Sequence, residues 1–283
     1  MELIAGPMRL RLAPALGGAI CGWWRDDVAL LRETPPGCPD VRDHASFPLI
    51  PFSNRIAHGR FSFGGQDFTL PRDPRDPRHA LHGNALYAAW EVGAATTSEA
   101  LLRLVYRSGT PFFPFAYTAW QRYRLTAAGL TIGLAVRNDD ARPFPSGLGH
   151  HLYFPRAADT RLRFQAAGHW RTGPDGLPTT RSTAHQAEFA AGAALAGLAF
   201  DNAFFGWHRQ ADITYPAGRY ALHLRASPAL AHAVLFTPPA RAFFAFEPVS
   251  HAVDAINRQA MRVLGPGEAL TAVIRCQWRH LPV

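Results

Sequence analysis

Lysine is absent from this chain of 283 residues, so all 29 basic side chains are arginines. Without lysine no Schiff base can form with a carbonyl substrate or with pyridoxal phosphate, which excludes pyridoxal enzymes and lysine-dependent aldolases. The phosphate-binding loop of nucleoside triphosphatases also requires its lysine and is therefore excluded. This single absence therefore removes several large enzyme classes.

Cysteine and long apolar runs are scarce as well. The three cysteines, Cys21, Cys38 and Cys276, lie far apart and lack C-x-x-C spacing, which argues against a disulfide framework and a cysteine metal site. The sequence contains no uncharged apolar run long enough to span a membrane, and its first residues lack the pattern of a signal peptide. We expect a cytoplasmic protein without membrane association.

The formal net charge is +8, which by itself favours an anionic partner such as nucleic acid. The arginines are scattered from Arg9 to Arg279, and the densest stretch, 72–78, interleaves them with aspartates. Arginines that alternate with apolar residues, as in Arg9-Leu10-Arg11, are typical of solvent-facing strand positions. We therefore expect no nucleic-acid binding.

Hydrophobic residues recur mainly at every second position, the period of β-strands. Turn residues interrupt these runs roughly every 8–12 positions, as in sandwiches and barrels. The predicted strands are 61–63 and 67–70 around a Gly-Gly turn, 101–107, 117–125, 130–136, 213–215, 220–224 and 270–278. Only 187–198 has a helical pattern, and its alanines and two glycines predict a short or weak element. We predict an all-β sandwich or barrel that forms one domain over residues 1–283.

Histidines in two segments are candidates for chemistry. His82 precedes a glycine in a predicted loop, where the backbone can pass close to a ligand. His150 and His151 follow two glycines and lie on a predicted strand. Neighbouring side chains of a strand point to opposite faces, so only one of this pair can face a given pocket. The alternative is a strand with one buried and one exposed histidine.

A third segment carries a carboxylate. Glu247 follows the apolar stretch 243–246 and precedes Pro248. A carboxyl group among aromatic rings should have a raised pKa and can act as a general base near neutral pH. The alternative is a strand-end glutamate paired with an arginine. One glutamate and one or two histidines together would form an acid–base pair without a covalent intermediate.

Other catalytic arrangements have little support. The H-E-x-x-H, G-x-S-x-G and G-x-G-x-x-G motifs are absent. His150 or His151 could join distant carboxylates around a metal, as in small cupin-like barrels, but the adjacent pair is divided between two faces. We expect neither a metal nor a cofactor.

The three segments, in this order, resemble the aldose 1-epimerase (galactose mutarotase) family. Further matching pieces are Trp90 and the segments 51–61, 200–204 and 247–257, so the resemblance covers about residues 45–260. It implies a galactose mutarotase-like supersandwich, which is a large antiparallel β-sandwich. It also implies an isomerase of carbohydrate metabolism that acts on a small sugar as a monomer or homodimer.

The resemblance assigns the chemistry to three residues. Glu247 matches the catalytic base, which takes the proton of the anomeric hydroxyl, and His151 matches the acid that protonates the ring oxygen. Ring opening, rotation about the C1–C2 bond and reclosure would interconvert the α and β anomers. His82 matches a second histidine near the ring oxygen.

The resemblance also implies substrate-binding residues. Arg55 and Asp201 match residues that hydrogen-bond sugar hydroxyls, and Asn54 belongs to the same segment as Arg55. The sequence departs from the family pattern at Leu152, where proline is common, and at Asn84, which replaces a second glycine.

Alternatives to a neutral sugar substrate remain open at this point. Hexose-6-phosphate epimerases of the same fold carry an arginine shortly after the His-Gly pair, whereas residues 84–87 here are Asn, Ala, Leu and Tyr. A phosphorylated substrate is therefore disfavoured. Two alternatives remain. The protein could act on another anionic sugar, or it could be a non-catalytic sugar-binding protein of this fold.

Overall fold

The computed structural model describes residues 1–109 and 112–282, which fold mainly into strands. Its strands are β1 Glu2–Ala5, β2 Met8–Ala13, β3 Ala19–Arg25, β4 Val28–Ala29, β5 Ser46–Pro48, β6 Arg55–Ile56, β7 Arg60–Phe63, β8 Gln66–Thr69, β9 Ala80–Leu81, β10 Glu91–Ala95, β11 Glu99–Tyr106, β12 Tyr117–Thr126, β13 Gly129–Asn138, β14 Phe144–Ser146, β15 His150–Pro155, β16 Arg161–Phe164, β17 Gly168–Thr172, β18 Pro178–Ser182, β19 Ala193–Ala194, β20 Phe200–Phe205, β21 Gln210–Tyr215, β22 Tyr220–Ala226, β23 His232–Thr237, β24 Phe243–Val249, β25 Arg262–Leu264 and β26 Ala269–His280. The helix α1 spans Gln186–Ala191, and short 3₁₀ helices lie at Val41–Asp43, Ala57–Gly59, Ala85–Tyr87 and Ala255–Arg258.

Two large sheets dominate the fold. Eleven strands form the first, in the order β1-β2-β3-β5-β15-β24-β23-β20-β17-β18 with β4 beside β3. Nine strands form the second, in the order β10-β11-β12-β13-β26-β22-β21-β16-β19. Three two-stranded ribbons complete the structure: β6-β9, β7-β8 and β14-β25. The pairs are antiparallel, so the predicted large antiparallel β-sandwich is confirmed.

The main core lies between the two large sheets. Phe246 of the eleven-stranded sheet contacts Phe164 of the nine-stranded sheet, with ring centroids 5.2 Å apart, and also Trp207, at 5.4 Å. The Tyr123 hydroxyl of β12 donates to the Gly18 carbonyl across the same interface. Truncating an aromatic residue in such a core costs about 3–5 kcal/mol.

A smaller apolar cluster covers the opposite face of the eleven-stranded sheet, and includes Phe47, Tyr153, Val234 and Ala245. The central strands are therefore buried on both faces, which explains why 243–246 is a continuous apolar run rather than an alternating one. This second face carries the functional site described below.

Most predicted elements are present, but the helix prediction is wrong over its second half. Residues 187–191 are helical within α1, whereas Gly192 has φ 97° and 193–194 form the strand β19. The glycine adopts a left-handed conformation that ends the helix. The hairpin β7-β8 is confirmed, with Phe63 opposite Gln66. Within the described ranges, no helix has the length and apolar character needed to cross a membrane.

Candidate active site

His151 and Glu247 face each other on neighbouring strands. In the antiparallel pairing of β15 with β24, Tyr153 lies opposite Ala245, and a step of two residues brings 151 opposite 247. The His151 Nε2 atom lies 3.1 Å from the Glu247 Oε1 atom. Both side chains are buried, with 7% and 2% of their surface exposed. At this distance a proton can move directly between imidazole and carboxyl.

Burial shifts this pair toward its uncharged forms. It raises the pKa of Glu247, and the nearby charge of Asp201 adds to that effect, while Arg55 opposes it. Burial also lowers the pKa of His151, with a further contribution from His82. Both shifts favour the form in which the proton of the pair lies on Glu247 and His151 is neutral.

Each side chain of the pair also has one polar atom that does not take part in the contact. Glu247 Oε2 and His151 Nδ1 are buried and have no hydrogen-bond partner in the part of the chain that the structure describes. The contact between the two side chains therefore involves one nitrogen and one oxygen, between which a single proton can move.

Aromatic contacts fix the orientation of the His151 ring. Its centroid lies 4.7 Å from that of Phe47 and 4.4 Å from that of Tyr153, with interplanar angles of 31° and 35°. His82 approaches edge-on at 5.3 Å and 82°. Packing on these sides restricts rotation of the imidazole, so that Nε2 stays directed at Glu247.

The ends of the β6-β9 ribbon hold His82. Arg55 lies opposite Leu81, so Asn54 and His82 flank the ladder at the same end. The Asn54 N–H donates to His82 Nδ1 at 3.1 Å, which leaves the proton on Nε2 in the neutral ring. Burial lowers the pKa of His82 to about 3, so the ring is neutral at physiological pH. His82 thus presents an N–H donor toward the cavity.

The backbone conformation and surroundings of position 83 explain why a glycine follows His82. Its φ is +75°, and a Cβ atom there would lie 2.2 Å from the Ile50 carbonyl oxygen. Any other residue would be strained in conformation and would collide with backbone. The predicted close approach at this glycine is therefore made by the protein's own chain.

Arg55 is held by acidic and amide groups. Its Nε donates to Asp76 Oδ2 at 2.8 Å, and its Nη1 donates to the Asn54 side-chain oxygen at 3.3 Å. Asp201 Oδ2 lies 3.8 Å from Nη2, and its side chain is 44% exposed. Asp201 therefore stands at the mouth of the site, whereas Asp76 fixes the guanidinium from within.

The six predicted site residues line one cavity of ≈ 160 Å³, together with side chains that sequence analysis did not single out. The predicted ones are Asn54, Arg55, His82, His151, Asp201 and Glu247, and the others are Arg42, Phe47, Arg75, Leu81, Tyr153 and Phe236. The orienting residue Asp76 was also missed, because it lies in a charge-rich stretch that is typical of a solvated loop. No local signal distinguishes it.

His150 is not part of the cavity. Its ring points between the two large sheets, where it bonds to the Ser46 hydroxyl and lies 3.4 Å from both the Tyr123 hydroxyl and the Gln121 side chain. The predicted division of His150 and His151 between two faces is confirmed. The alternative in which one of them is exposed is wrong, because both are buried. Among the described residues, no group of three or more His, Cys, Asp or Glu side chains is arranged to hold a metal.

Other residues of the matching segments support the site from outside. His251 accepts a hydrogen bond from the Ser53 N–H at 3.1 Å and thereby holds the segment that carries Asn54. The Asn84 side chain accepts from the Tyr117 hydroxyl at 3.0 Å, so this departure from the family pattern links the site to the nine-stranded sheet.

Comparisons with known proteins agree with this fold. The family model for aldose 1-epimerase matches residues 12–277. The chain is 33% identical to the uncharacterized protein YphB of Escherichia coli K12 over 278 residues, which is 93% of each protein. A crystal structure of a putative aldose 1-epimerase from the same organism superposes with a TM-score of 0.91 at 31% identity, covering 99% of this chain and 98% of that one. The chain belongs to the aldose 1-epimerase family.

Two further relatives are more distant. An aldose 1-epimerase of Escherichia coli K12 is 30% identical over 132 residues, which is 44% of this chain and 37% of that protein. A galactose mutarotase-like protein from Clostridium acetobutylicum superposes with a TM-score of 0.87 at 19% identity, over 99% of this chain and 95% of that one. At that identity the likeness concerns the fold alone.

Proposed function

We propose that this protein is an aldose 1-epimerase that interconverts the α and β anomers of a neutral hexose. The observation that carries the proposal is the 3.1 Å contact between His151 Nε2 and Glu247 Oε1 in a cavity that His82 also lines. Ring opening of an aldose needs one proton removed at O1 and one delivered at O5. A buried acid and base in contact with each other suit both transfers.

In the forward direction, the proton of the pair first moves from Glu247 to His151, and the Glu247 carboxylate so formed takes the proton of the anomeric hydroxyl. The O1–H electron pair forms the C1=O bond, the C1–O5 bond breaks, and O5 takes a proton from the His151 imidazolium. His82 donates its Nε2–H to a sugar oxygen and holds the ring in place. Each positioned acid or base contributes about 10²–10⁴-fold to such a reaction.

The second half of the reaction reverses these transfers. The free aldehyde rotates about the C1–C2 bond, and the O5 hydroxyl attacks the other face of the carbonyl. His151 takes the proton of O5 and Glu247 returns its proton to O1. The pair ends the cycle with the protons it had at the start, so no external acid or base is consumed.

The charge of the cavity supports a neutral substrate over an anionic one. Each arginine that lines the cavity already contacts a carboxylate of the protein: the pairs are Arg42 with Asp73, Arg55 with Asp76, and Arg75 with Asp40 and Asp43. Glu247 and Asp201 add further acidic groups. A phosphate or sulfonate would have to compete with these carboxylates for the guanidinium groups.

Polarimetry of freshly dissolved α-D-glucose and α-D-galactose tests the proposal. We expect the wild type to accelerate relaxation to the anomeric equilibrium, and Glu247→Gln to lose at least ~100-fold in kcat. The matched control is Glu188→Gln, since Glu188 lies exposed on α1 and bonds only to His185 among its described partners. Acceleration only with a sugar phosphate would contradict the neutral substrate. Sugar binding without acceleration would indicate the non-catalytic alternative.

A further inference from the structure

Arg32 lies behind the aromatic wall of the cavity, in the segment between β4 and β5. Its guanidinium carbon is 3.8 Å from the centroid of the Tyr153 ring and 4.6 Å from that of Phe243. These two rings meet edge-to-face at 5.3 Å and 85°, so they form a corner that holds the planar guanidinium. Cation–π contacts of this kind stabilise a cation over an aromatic face.

Hydrogen bonds to backbone carbonyls also hold Arg32 in place. Its Nη2 donates to the carbonyls of Arg42 at 3.2 Å and His44 at 2.6 Å, and its own N–H donates to the Tyr153 carbonyl at 2.9 Å. Arg32 thereby joins the strand that carries His151 to the 3₁₀ helix that brings Arg42 into the cavity.

No carboxylate contacts Arg32; Asp43 acts on its charge from further away and is itself bonded to Arg75. Across residues 1–109 and 112–282 it forms no ion pair, and its Nε is buried without a hydrogen-bond partner. The cavity arginines Arg42, Arg55 and Arg75 all differ in this respect, because each contacts an aspartate. An unpaired, partly buried cation is costly to keep, which argues for a role beyond packing.

Tyr153 connects Arg32 to the acid–base pair. The guanidinium and the His151 ring both lie close to the Tyr153 centroid, at 3.8 Å and 4.4 Å. Two groups this close to one ring cannot share a face, so they lie on opposite faces of Tyr153. The positive charge is thus one aromatic ring away from the imidazole.

We propose that Arg32 is a positioning residue for the acid–base pair: it holds the Tyr153 ring against His151, and its charge, which no carboxylate contacts, opposes the uptake of a proton by the imidazole. The proposal rests on the function proposed above. It assigns a role to a residue that contacts neither the substrate nor the reacting atoms.

The groups packed around His151 shift its pKa in directions that follow from their charges. Glu247 faces it from β24, His82 from the end of β9, and Tyr153 from its own strand. β5 contributes only the uncharged Phe47. Burial lowers the pKa of His151 most, and His82, Arg32 and His150 lower it further. Arg32 is the one permanently charged group among these last three.

Substitution of Arg32 separates charge from packing. Arg32→Met removes the charge and keeps an apolar stem, so both limbs of the kcat–pH profile should move to higher pH by at least ~0.5 unit. The sign follows because removing a cation makes every protonation of the pair easier. We expect kcat to fall about 10-fold as the ring stack loosens.

Arg32→Lys keeps the charge but loses the planar stack and the forked donation to two carbonyls. The kcat–pH profile of Arg32→Lys should therefore keep its wild-type position on the pH axis. Its kcat should fall by a smaller factor than that of Arg32→Met. The matched control is Arg25→Met, because Arg25 stacks on Trp278 at 4.0 Å and donates to the Ala127 carbonyl, away from the cavity. That variant should retain the wild-type kcat and profile.

A second readout does not depend on turnover. The ¹⁵N shifts of the His151 ring, assigned by comparison with His151→Asn, report its protonation. As the pH is lowered from 7, these shifts should reach imidazolium values at a higher pH in Arg32→Met than in the wild type, whether or not a sugar is turned over. A wild type without mutarotase activity would refute the proposed function alone. Identical ring shifts in wild type and Arg32→Met, or wild-type kcat in Arg32→Lys, would overturn the role of Arg32.

Discussion

Asn54 and His82 bond to each other twice across the end of the β6-β9 ribbon. The Asn54 N–H donates to His82 Nδ1 at 3.1 Å, and the His82 N–H donates to the Asn54 carbonyl at 3.0 Å. Both residues have left-handed backbones, with φ of 56° and 64°. Such conformations cost about 1–3 kcal/mol each and persist where surrounding contacts hold them. The two bonds supply such contacts and aim the His82 donor at the cavity.

Gly83→Ala should disturb this arrangement. A Cβ atom would lie 2.2 Å from the Ile50 carbonyl oxygen, so the segment carrying His82 must shift. We expect kcat/KM to fall at least ~10-fold and the free energy of unfolding to fall by about 2 kcal/mol. Gly64→Ala is the control, since Gly64 also has a positive φ but has nothing within 4 Å of the new atom. If both variants keep wild-type activity, the backbone at Gly83 does not position His82.

Glu247→Gln and His151→Asn should not act additively. Each single change removes one partner of a proton transfer that needs both, so each should lower kcat about 10²–10⁴-fold. The double variant should be little worse than the poorer single one, because the remaining group has no partner left to act with. Exchange NMR between the two anomers measures these rates. Fully multiplicative losses would show that the two groups act independently.

His150→Asn tests the opposite face of the same strand. His150 is fully buried between the sheets and bonds to Ser46, so its replacement should lower the free energy of unfolding by about 1–3 kcal/mol. The kcat–pH profile should keep its shape, because His151 and Glu247 are untouched. Urea denaturation and polarimetry on one preparation measure both effects. A loss of kcat comparable to that of His151→Asn would mean that the two histidines have been assigned to the wrong faces.

Period-two alternation and turn residues predict the fold class because they depend on short-range chemistry. Strands such as β12 and β13 alternate and are found nearly where expected, within Tyr117–Thr126 and Gly129–Asn138. The alanine-rich stretch after Gln186 forms the short helix that was predicted, but the predicted end at residue 198 is too late, because Gly192 ends the helix after six residues. A single domain, a cytoplasmic location and a monomeric or dimeric state stay predictions.

The site was predictable only in part. Strand alternation alone separates His150 from His151, and aromatic neighbours alone point to a raised pKa for Glu247. The contact between His151 and Glu247 requires the pairing of strands almost 100 residues apart, which no local pattern encodes. Arg32 was missed for the same reason, because its significance depends on the ring it covers.

The buried histidines should make stability fall in mild acid. Burial lowers the pKa of His82 and His150 to about 3 and that of His251 to about 4, from an ordinary value of 6.5. Between these values the unfolded chain binds a proton at each site and the folded chain does not. The free energy of unfolding should therefore rise with pH from about 4 to 6.5, by up to ~1.4 kcal/mol per pH unit for each histidine.

Glu247 has the opposite effect on the pH dependence of the free energy of unfolding in the same pH range. Its raised pKa keeps it protonated in the folded state above the pH at which the unfolded chain loses that proton, so it lowers stability as pH rises. Urea denaturation at pH 5 and pH 6 should then show a steeper pH dependence in Glu247→Gln than in the wild type, by up to one proton. His150→Asn should show a shallower one, because a neutral amide takes up no proton on unfolding. Equal slopes in all three proteins would mean that neither group changes its protonation when the chain unfolds.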